Sequence, residues 1–433
     1  MKNLKFFSLI LMIFFVASCS KDLVDVPDQS SDDDAWLKSS SPKVKIAVLS
    51  DVHYMLPSLL PEEVEDSPSL MIKLLKDRKI PQLSDLIFRK VVSELINEKP
   101  DVALFCGDEA WSGEKDDHQT VSGLLQELEN NGIKVYVVPG NNDILSPDAY
   151  SYTTEPPVHV LNITADMFAS LYGNFGYNEA LYRDANSLSY ICQPCNGLWI
   201  LGIDNSTRTL QSGTLSWIQD KMAEANENGI RVIPFMHYGI IEHYTGQNNI
   251  EPLVKNANPN AIALMTAGLS LIFTGHYHAN DIVNFVNEGK TLSDIQTGSL
   301  VTPPYSYRMM WLDDNFIKIE TNRVTSVDAE MPGGVNFLTY SATCIDSYLN
   351  GFFTAYATYL QGKLGIPADK YPAAIPYFVK AYKAYLAGDE KMDPAERKKI
   401  DLLGKEVPTA LPFINSLWTD LPPKDNKVHI KLK

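Results

Sequence analysis

Seven polar side chains stand at the ends of apolar runs, and their types and order carry the chemistry of this chain. "VKIAVLSDVH" ends on Asp51 and His53, "DVALFCGDE" reaches Asp108, "IKVYVVPGNND" reaches Asn141, "RVIPFMHY" reaches His237, and "LSLIFTGHYH" ends on His276 and His278. Two carboxylates, one amide oxygen and four imidazoles form a mixed oxygen and nitrogen donor set. That set suits Zn, Mn or Fe better than Ca or Mg, and the lack of thiolates argues against a structural zinc. Seven donors are too many for one tetrahedral ion and fit two ions that share a bridging carboxylate. In Asp51-x-His53 and His276-x-His278 the i, i+2 spacing at a strand end aims both side chains to one side. A lone histidine such as His237 is more often a satisfied core residue; four further blocks in order give it the metal reading.

These residues need elements that bring strand ends together. From about Lys43 to Arg323, short apolar strands alternate with amphipathic helices: "LSDLIFRKVVSELINEKP" with Ser84 as its N-cap, "TVSGLLQELENNG" stopped at Gly132, and "TLSWIQDKMAEANENG". The closing stretch, Asp281 to Arg323, reads as strands without helices. Alternating strands and helices imply an α/β fold, with two packed sheets flanked by helices. Ligands in open α/β sheets gather at the carboxyl ends of strands, so five such ends on one edge would make one site. From about Pro332 the chain turns helix-like and Tyr-rich ("TCIDSYLNGFFTAYATYLQGKLG", "YPAAIPYFVKAYKAYLAG", "DPAERKKIDLLGKEV"), a helical C-terminal region over 332–433 whose aromatic stripes suit packing.

At 433 residues, with 45% hydrophobic and 21% charged side chains, the chain is an ordinary globular protein of one large domain and a smaller one. Its net charge of -16, from 37 Lys+Arg against 53 Asp+Glu, excludes a generic grip on nucleic acid. A phosphate ligand must therefore be held by something other than a basic surface. Two dications against Asp51, Asp108 and a bridging hydroxide leave a centre of about +1, which supplies that attraction locally.

The N-terminus, "MKNLKFFSLILMIFFVASCS", has a positive start and an apolar run too short to span a bilayer. "VASC" resembles the bacterial lipobox, so residues 1–19 read as a lipoprotein signal peptide and Cys19 as the lipid attachment point. An ordinary signal peptide is the alternative. Ser- and Asp-rich residues 20–43 read as a flexible tether, and Lys21-Asp22 with the acids after it resemble a surface-export tag. The expectation is an exported protein held to a bacterial membrane, outer membrane or cell surface, through its lipid alone. Cys106 in an apolar strand reads as a small buried hydrophobe, and Cys344 stands alone. "CQPC", Cys192 to Cys195, lacks a second CxxC; in an oxidising compartment a disulfide across a hairpin turn is the expectation, ahead of a half zinc site or redox pair.

The five blocks, D-x-H, G-D, G-N-x-D, H and G-H-x-H in that order, resemble the calcineurin-like metallophosphoesterase family, which includes purple acid phosphatases and Ser/Thr phosphatases. The resemblance covers 44–325 and implies a four-layer α/β/β/α sandwich. It further implies that Asp51, His53 and His278 bind one metal, that Asn141, His237 and His276 bind the other, and that Asp108 bridges them. The implied reaction is attack of metal-bound hydroxide on a phosphate ester, a small molecule or a phospholipid headgroup.

One position departs from the family. Where many members carry G-N-H-D or G-N-H-E, whose histidine is thought to protonate the leaving group, this chain has Asn142, followed by Asp143. An amide has no useful pKa for proton transfer, and a general acid is typically worth about 10² to 10⁴ in rate. Three readings stay open: hydrolysis of phosphodiesters or other esters with the metals carrying most of the catalysis; a proton from Tyr54, Tyr238, Tyr277 or His243; or a surface lipoprotein that binds a phosphorylated ligand or protein partner without turnover. His118, His159, His243 and His429 fit no block and read as bland, with His118 and His243 as possible pocket neighbours.

Overall fold

The computed structural model describes residues 44–431. The expected signal peptide, tether and lipid attachment at Cys19 fall outside the described residues. Strands β1 (Val44–Leu49), β2 (Val102–Phe105) and β3 (Lys134–Val137) run parallel and in register, with Leu49 opposite Phe105 and Phe105 opposite Val137. Their ends are therefore level. A short pair follows, β4 (Tyr150–Ser151) and β5 (Val158–His159).

The second sheet is built from β6 (Tyr182–Arg183), β7 (Tyr190–Cys195), β8 (Leu198–Ile203), β9 (Arg231–Met236), β10 (Leu271–Thr274), β11 (Asp281–Asn287) and β12 (Lys290–Gln296), in spatial order β11-β12-β10-β9-β8-β7-β6. Then β13 (Ser306–Leu312) and β14 (Phe316–Arg323) return to the first sheet, and β13 pairs antiparallel with β1.

Side-chain alternation explains the layers. On β8, Leu198 and Ile200 pack into the core shared with the first sheet, while Trp199, Leu201 and Ile203 face Ile218, Met222 and Leu264 of the helices Ser212–Glu227 and Ala257–Thr266. Helices Ser84–Glu98 and Lys115–Asn130 cover the first sheet through Ile87, Phe88, Val91, Leu95, Val121 and Leu125. The result is the expected α/β/β/α sandwich. Ser84 is not an N-cap: it sits inside the first turn, and its hydroxyl receives the Met55 N–H at 2.9 Å and donates to the Pro81 carbonyl at 2.7 Å.

The C-terminal region is helical over Phe337–Ala355, Ala357–Leu364, Tyr371–Ala387, Pro394–Glu406 and Leu411–Leu417. Its aromatic stripes do form a core of their own, with Phe353, Tyr371, Phe378, Tyr382, Tyr385 and Phe413 packed together. One part of the expectation fails. The region ends in a strand, β15 (Lys427–Lys431), antiparallel to β14, because Val428 and Ile430 alternate with polar residues and fit a half-buried sheet edge. Arg308, fully buried on β13, donates to the Gln296 carbonyl and to the Asp425 carbonyl, each at 2.6 Å, and so joins both sheets to the end of the chain.

The expected Cys192–Cys195 disulfide is also corrected. Both thiols are free: the Cys192 Sγ is buried and donates to the Gly176 carbonyl at 3.3 Å, while Cys195 is exposed. Residues three apart on one extended strand point to opposite faces, and the irregular register between them does not bring the sulfurs together. Cys106 is buried, as expected. Among the described residues no helix is long and apolar enough to cross a membrane.

Candidate metal centre

All five strand ends converge. Asp51, His53 and His278 form one group, and Asp108, His237 and His276 another, each with ligand atoms within 4.8 Å of one another. Between the groups lies Asp108, whose Oδ2 is 3.4 Å from the Nε2 of His53 and 3.4 Å from the Nε2 of His237. His278 Nε2 lies 3.3 Å from Asp51 Oδ1, and Asn141 Oδ1 lies 3.0 Å from His237 Nε2, which is 3.2 Å from His276 Nδ1.

The backbone is bent to present these groups. Five of the seven, Asp51, His53, Asp108, His276 and His278, have positive φ, between 40° and 73°. A non-glycine residue there costs of order 1–3 kcal/mol, so the surroundings must over-determine the shape. They do so with crossed backbone bonds: Asp51 N–H to the Gly107 carbonyl (3.0 Å), His53 N–H to the Asp108 carbonyl (2.9 Å) and Gly275 N–H to the His237 carbonyl (2.9 Å). Close approach demands glycine at Gly140, where a Cβ would run into the Asp108 carboxylate and backbone.

The ligand orientations are set from behind. His53 Nδ1 lies 3.2 Å from the Trp111 carbonyl, His237 Nδ1 2.8 Å from the Cys106 carbonyl, and His278 Nδ1 2.6 Å from Thr302 Oγ1. With the inner ring nitrogens occupied, each imidazole offers its Nε2 to the centre. Asp51 Oδ1 and His53 Nε2 are buried with no hydrogen-bond partner, which is the state of groups shaped for an ion. These residues fit two divalent or trivalent ions of the zinc, manganese or iron type.

Electrostatics agree. Burial opposes the charged form of Asp51, yet His278, His53 and His237 hold its pKa well below the ordinary value. Burial would likewise lower His237, but the Asp108 carboxylate raises it to about 9. His278 is pushed down to about 3, by burial first and by Arg78 in opposition to Asp51. The carboxylates of the centre thus favour positive charge in their midst.

Asn142 and Asp143 both make hydrogen bonds to the Asp108 loop. The Asn142 backbone N–H donates to Asp108 Oδ1 at 2.7 Å and its amide to Asp108 Oδ2 at 2.6 Å, so the side chain is turned onto the Asp108 carboxylate. Asp143 is fully buried and receives the backbone N–H groups of Asp108 (2.9 Å), Glu109 (2.9 Å), Ala110 (3.2 Å) and Gly140 (2.7 Å), fastening two ligand loops together. His118 packs beside it, but its Nε2 meets the Asp143 backbone carbonyl at 3.1 Å and stands 3.7 Å from Oδ1, beyond hydrogen-bond reach of the carboxylate.

Other supporting residues escaped the motifs. Asn205 Oδ1 receives the His237 and Tyr238 N–H groups, each at 3.1 Å, and its place at the end of "LWILGIDN" follows the strand-end pattern that identified the ligands. Arg78 donates to the His276 carbonyl at 3.2 Å and pairs with Glu251 at 3.2 Å, but nothing in "LKDRKI" marks it. Asp389, Asp420 and Asp425 form a third acidic group at the C-terminal region, without an imidazole, in which Asp425 is occupied by the Ile282 and Asp389 N–H groups.

A convergent centre with one carboxylate shared between two nitrogen-rich groups defines a class. Residues 44–280, more than half of the chain, match the calcineurin-like phosphoesterase family, and the chain belongs to it. It is by class a metal-dependent phosphoric ester hydrolase. Among solved structures the chain is similar to a dimetal phosphatase from Danio rerio, at 14% identity and TM-score 0.46, covering 65% of this chain and 97% of that one. It is also similar to the yellow lupin (Lupinus luteus) purple acid phosphatase PPD1, at 9% identity and TM-score 0.43, covering 69% and 53% of the respective chains. No curated protein matches the sequence.

Proposed function

We propose that this chain hydrolyses phosphate esters at a dinuclear centre, with phosphodiesters favoured over monoesters, and that it does so as an exported protein tethered to a membrane through Cys19. Asp51, His53 and His278 would hold one ion, Asn141, His237 and His276 the other, with Asp108 between them. One observation carries the reading: Asp108 Oδ2 stands 3.4 Å from an imidazole nitrogen of each group, the position of a shared ligand. When bound, such an ion pair polarises phosphoryl oxygens and activates water at neutral pH.

The residues of the chain do the rest. Asp143 fixes the Asp108 and Gly140 loops, and Asn142 holds Asp108 by two hydrogen bonds. No imidazole is available at Asn142 to protonate a leaving group, which favours esters with stable leaving groups. Of the four alternative donors, Tyr54 donates to Asp85, Tyr277 donates to the Pro252 carbonyl, and His243 faces Asp281 and Asp294. Tyr238 remains, its ring 4.0 Å from that of His276.

The test is hydrolysis of aryl phosphodiesters and monoesters with Mn²⁺ or Zn²⁺, wild type against Asp108→Asn. Turnover by wild type, diester ahead, and its loss in the variant are expected. Metal binding without turnover of either ester class would overturn the enzyme reading and leave a lipoprotein that binds phosphorylated ligands. Acyl labelling of the wild type and of Cys19→Ala tests the anchor; an unlabelled wild type removes it.

A further inference from the structure

Two lysines lie against one indole beside the first metal group, in a chain whose net charge is -16. Trp111 is fully buried; its carbonyl is 3.2 Å from His53 Nδ1 and its ring centroid 6.2 Å from the His53 ring. Lys79 Nζ lies 4.7 Å from the Trp111 ring centroid and Lys73 Nζ 5.7 Å from it. Both ammonium groups therefore sit one indole away from a candidate ligand.

Their placement is built. The residue after Lys79, Ile80, donates its N–H to the Val301 carbonyl at 2.9 Å, next to the Thr302 hydroxyl that meets His278. Lys79 and Lys73 are thus registered to His53 through Trp111, and Lys79 to His278 through the Val301-Thr302 segment. Local compensation is weakest at Lys73, whose ion pair is the longest of the three. Lys79 pairs with Asp77 at 3.1 Å and Arg78 with Glu251, while the direct contacts of Lys73 are the Ser112 hydroxyl at 3.3 Å and the exposed Asp148 carboxylate at 3.8 Å, with Glu114 and Asp77 acting on it from further off. Burial first and the Lys79 charge second push the Lys73 pKa down, against the Asp148, Glu114 and Asp77 carboxylates, which hold it up. Burying long cations beside each other is unfavourable unless something negative joins them. The indole face attracts them but does not neutralise them.

We propose that Lys73 and Lys79, held on Trp111, form a second anion subsite beside the dinuclear centre, so that the substrate is a phosphate ester carrying a second phosphate group. The centre takes the ester phosphate and the lysines take the other. This rests on the esterase reading above. It also accounts for a small basic patch within an acidic protein without any general affinity for polyanions.

Butanediol monophosphate and butanediol bisphosphate share a skeleton and differ in that one group. With the full metal-loaded protein, kcat/KM for the bisphosphate is expected to exceed that for the monophosphate by about tenfold, the scale of a charged hydrogen bond. In Lys79→Met and Lys73→Met the ratio is expected to fall toward one, and Lys79→Arg to restore it. A wild-type ratio near one, or a ratio unchanged in both methionine variants, overturns the subsite. If Lys79→Met does not fold, Lys73→Met, at a more accessible position, decides. If neither butanediol ester is turned over, the aryl-ester assay above decides the esterase reading separately, and equilibrium dialysis of the two compounds reads the same preference as a ratio of Kd values.

Discussion

The metal edge and the C-terminal helical layer are held together by opposite means. At the edge, five of the candidate ligands have left-handed backbone, and polar bonds such as the four N–H groups on Asp143 keep them there. The helical layer has ordinary helices, and its buried aromatic cluster around Phe378 and Tyr382 supplies cohesion by area alone. Polar bonds fix direction to tenths of an ångström; apolar burial is tolerant of shape. A site that must aim seven donor atoms uses the first, and a layer that must cover a flank uses the second.

If that contrast holds, single polar changes at the edge should cost far more function than stability. The largest effect is expected at Asp108→Ala, which removes the atom shared by the two groups: kcat/KM on an aryl phosphodiester should fall by on the order of 10²–10³ or more. Elemental analysis should show fewer than two ions retained, while thermal melting of the metal-free protein stays close to wild type. Next comes Asp143→Asn, which touches no ligand atom but leaves backbone N–H groups poorly matched. Metal affinity is expected to drop about 10–100-fold, read by titration with a chelator. Equal metal affinity in that variant would break the claim that hydrogen bonds from behind aim the ligands.

The two regions were unequally legible in the sequence. The ligands were readable because each is a polar residue that ends an apolar run, and an edge of level strand ends is the only place such residues can meet. Asp143 and Asn142 were read by position, but their hydrogen bonds depend on loops folding onto one another across more than thirty residues, as from Asp108 to Asp143, which no local pattern encodes. His118 looked bland for the same reason. The helices of the C-terminal layer were legible in the sequence, and the structure adds that Asp393 caps one, accepting the Ala395 N–H at 2.6 Å. Strand β15 was missed although "KVHIK" alternates with period two, because a helical context outweighed five residues. The cysteine spacing suggested a bridge that alternation along a strand forbids.

The seam between the regions sharpens the comparison. Arg78 reaches from the His276 carbonyl to Glu251, and Glu251 also accepts from Tyr382 of the helical layer at 2.8 Å. Arg78→Met would leave Glu251 without its cation. Because the pair is mostly but not fully buried, the expected cost lies between that of exposed and buried pairs, about 1–3 kcal/mol by denaturant unfolding. Arg78→Met with Glu251→Gln should recover part of it. A smaller, pH-dependent term comes from His243, whose pKa burial would lower but which Asp281 at 3.2 Å and Asp294 at 3.7 Å raise to about 10. A raised histidine stabilises fully below its unfolded value, about 6.5, and the contribution is lost as pH rises through the folded value. Melting temperature should therefore fall between pH 7 and pH 10, and His243→Gln should flatten that slope.

The smallest effect is expected at Asn142→His, and it separates direction from chemistry at the edge. Restoring an imidazole restores a group with a useful pKa, yet the present side chain is turned onto Asp108, with its amide 2.6 Å from Oδ2. An imidazole on the same backbone starts beside the Asp108 carboxylate and must swing away before it can serve a leaving group. Its gain on alkyl phosphodiesters, which need a proton most, should stay below about tenfold, under the 10²–10⁴ of a well-placed general acid. Aryl esters, with stable leaving groups, should show none. Comparing the two ester classes in one variant tells the cases apart: a gain of a hundredfold confined to alkyl esters would mean that the loop already aims this position at the leaving group, and that only the side chain's chemistry differs from an ordinary acid.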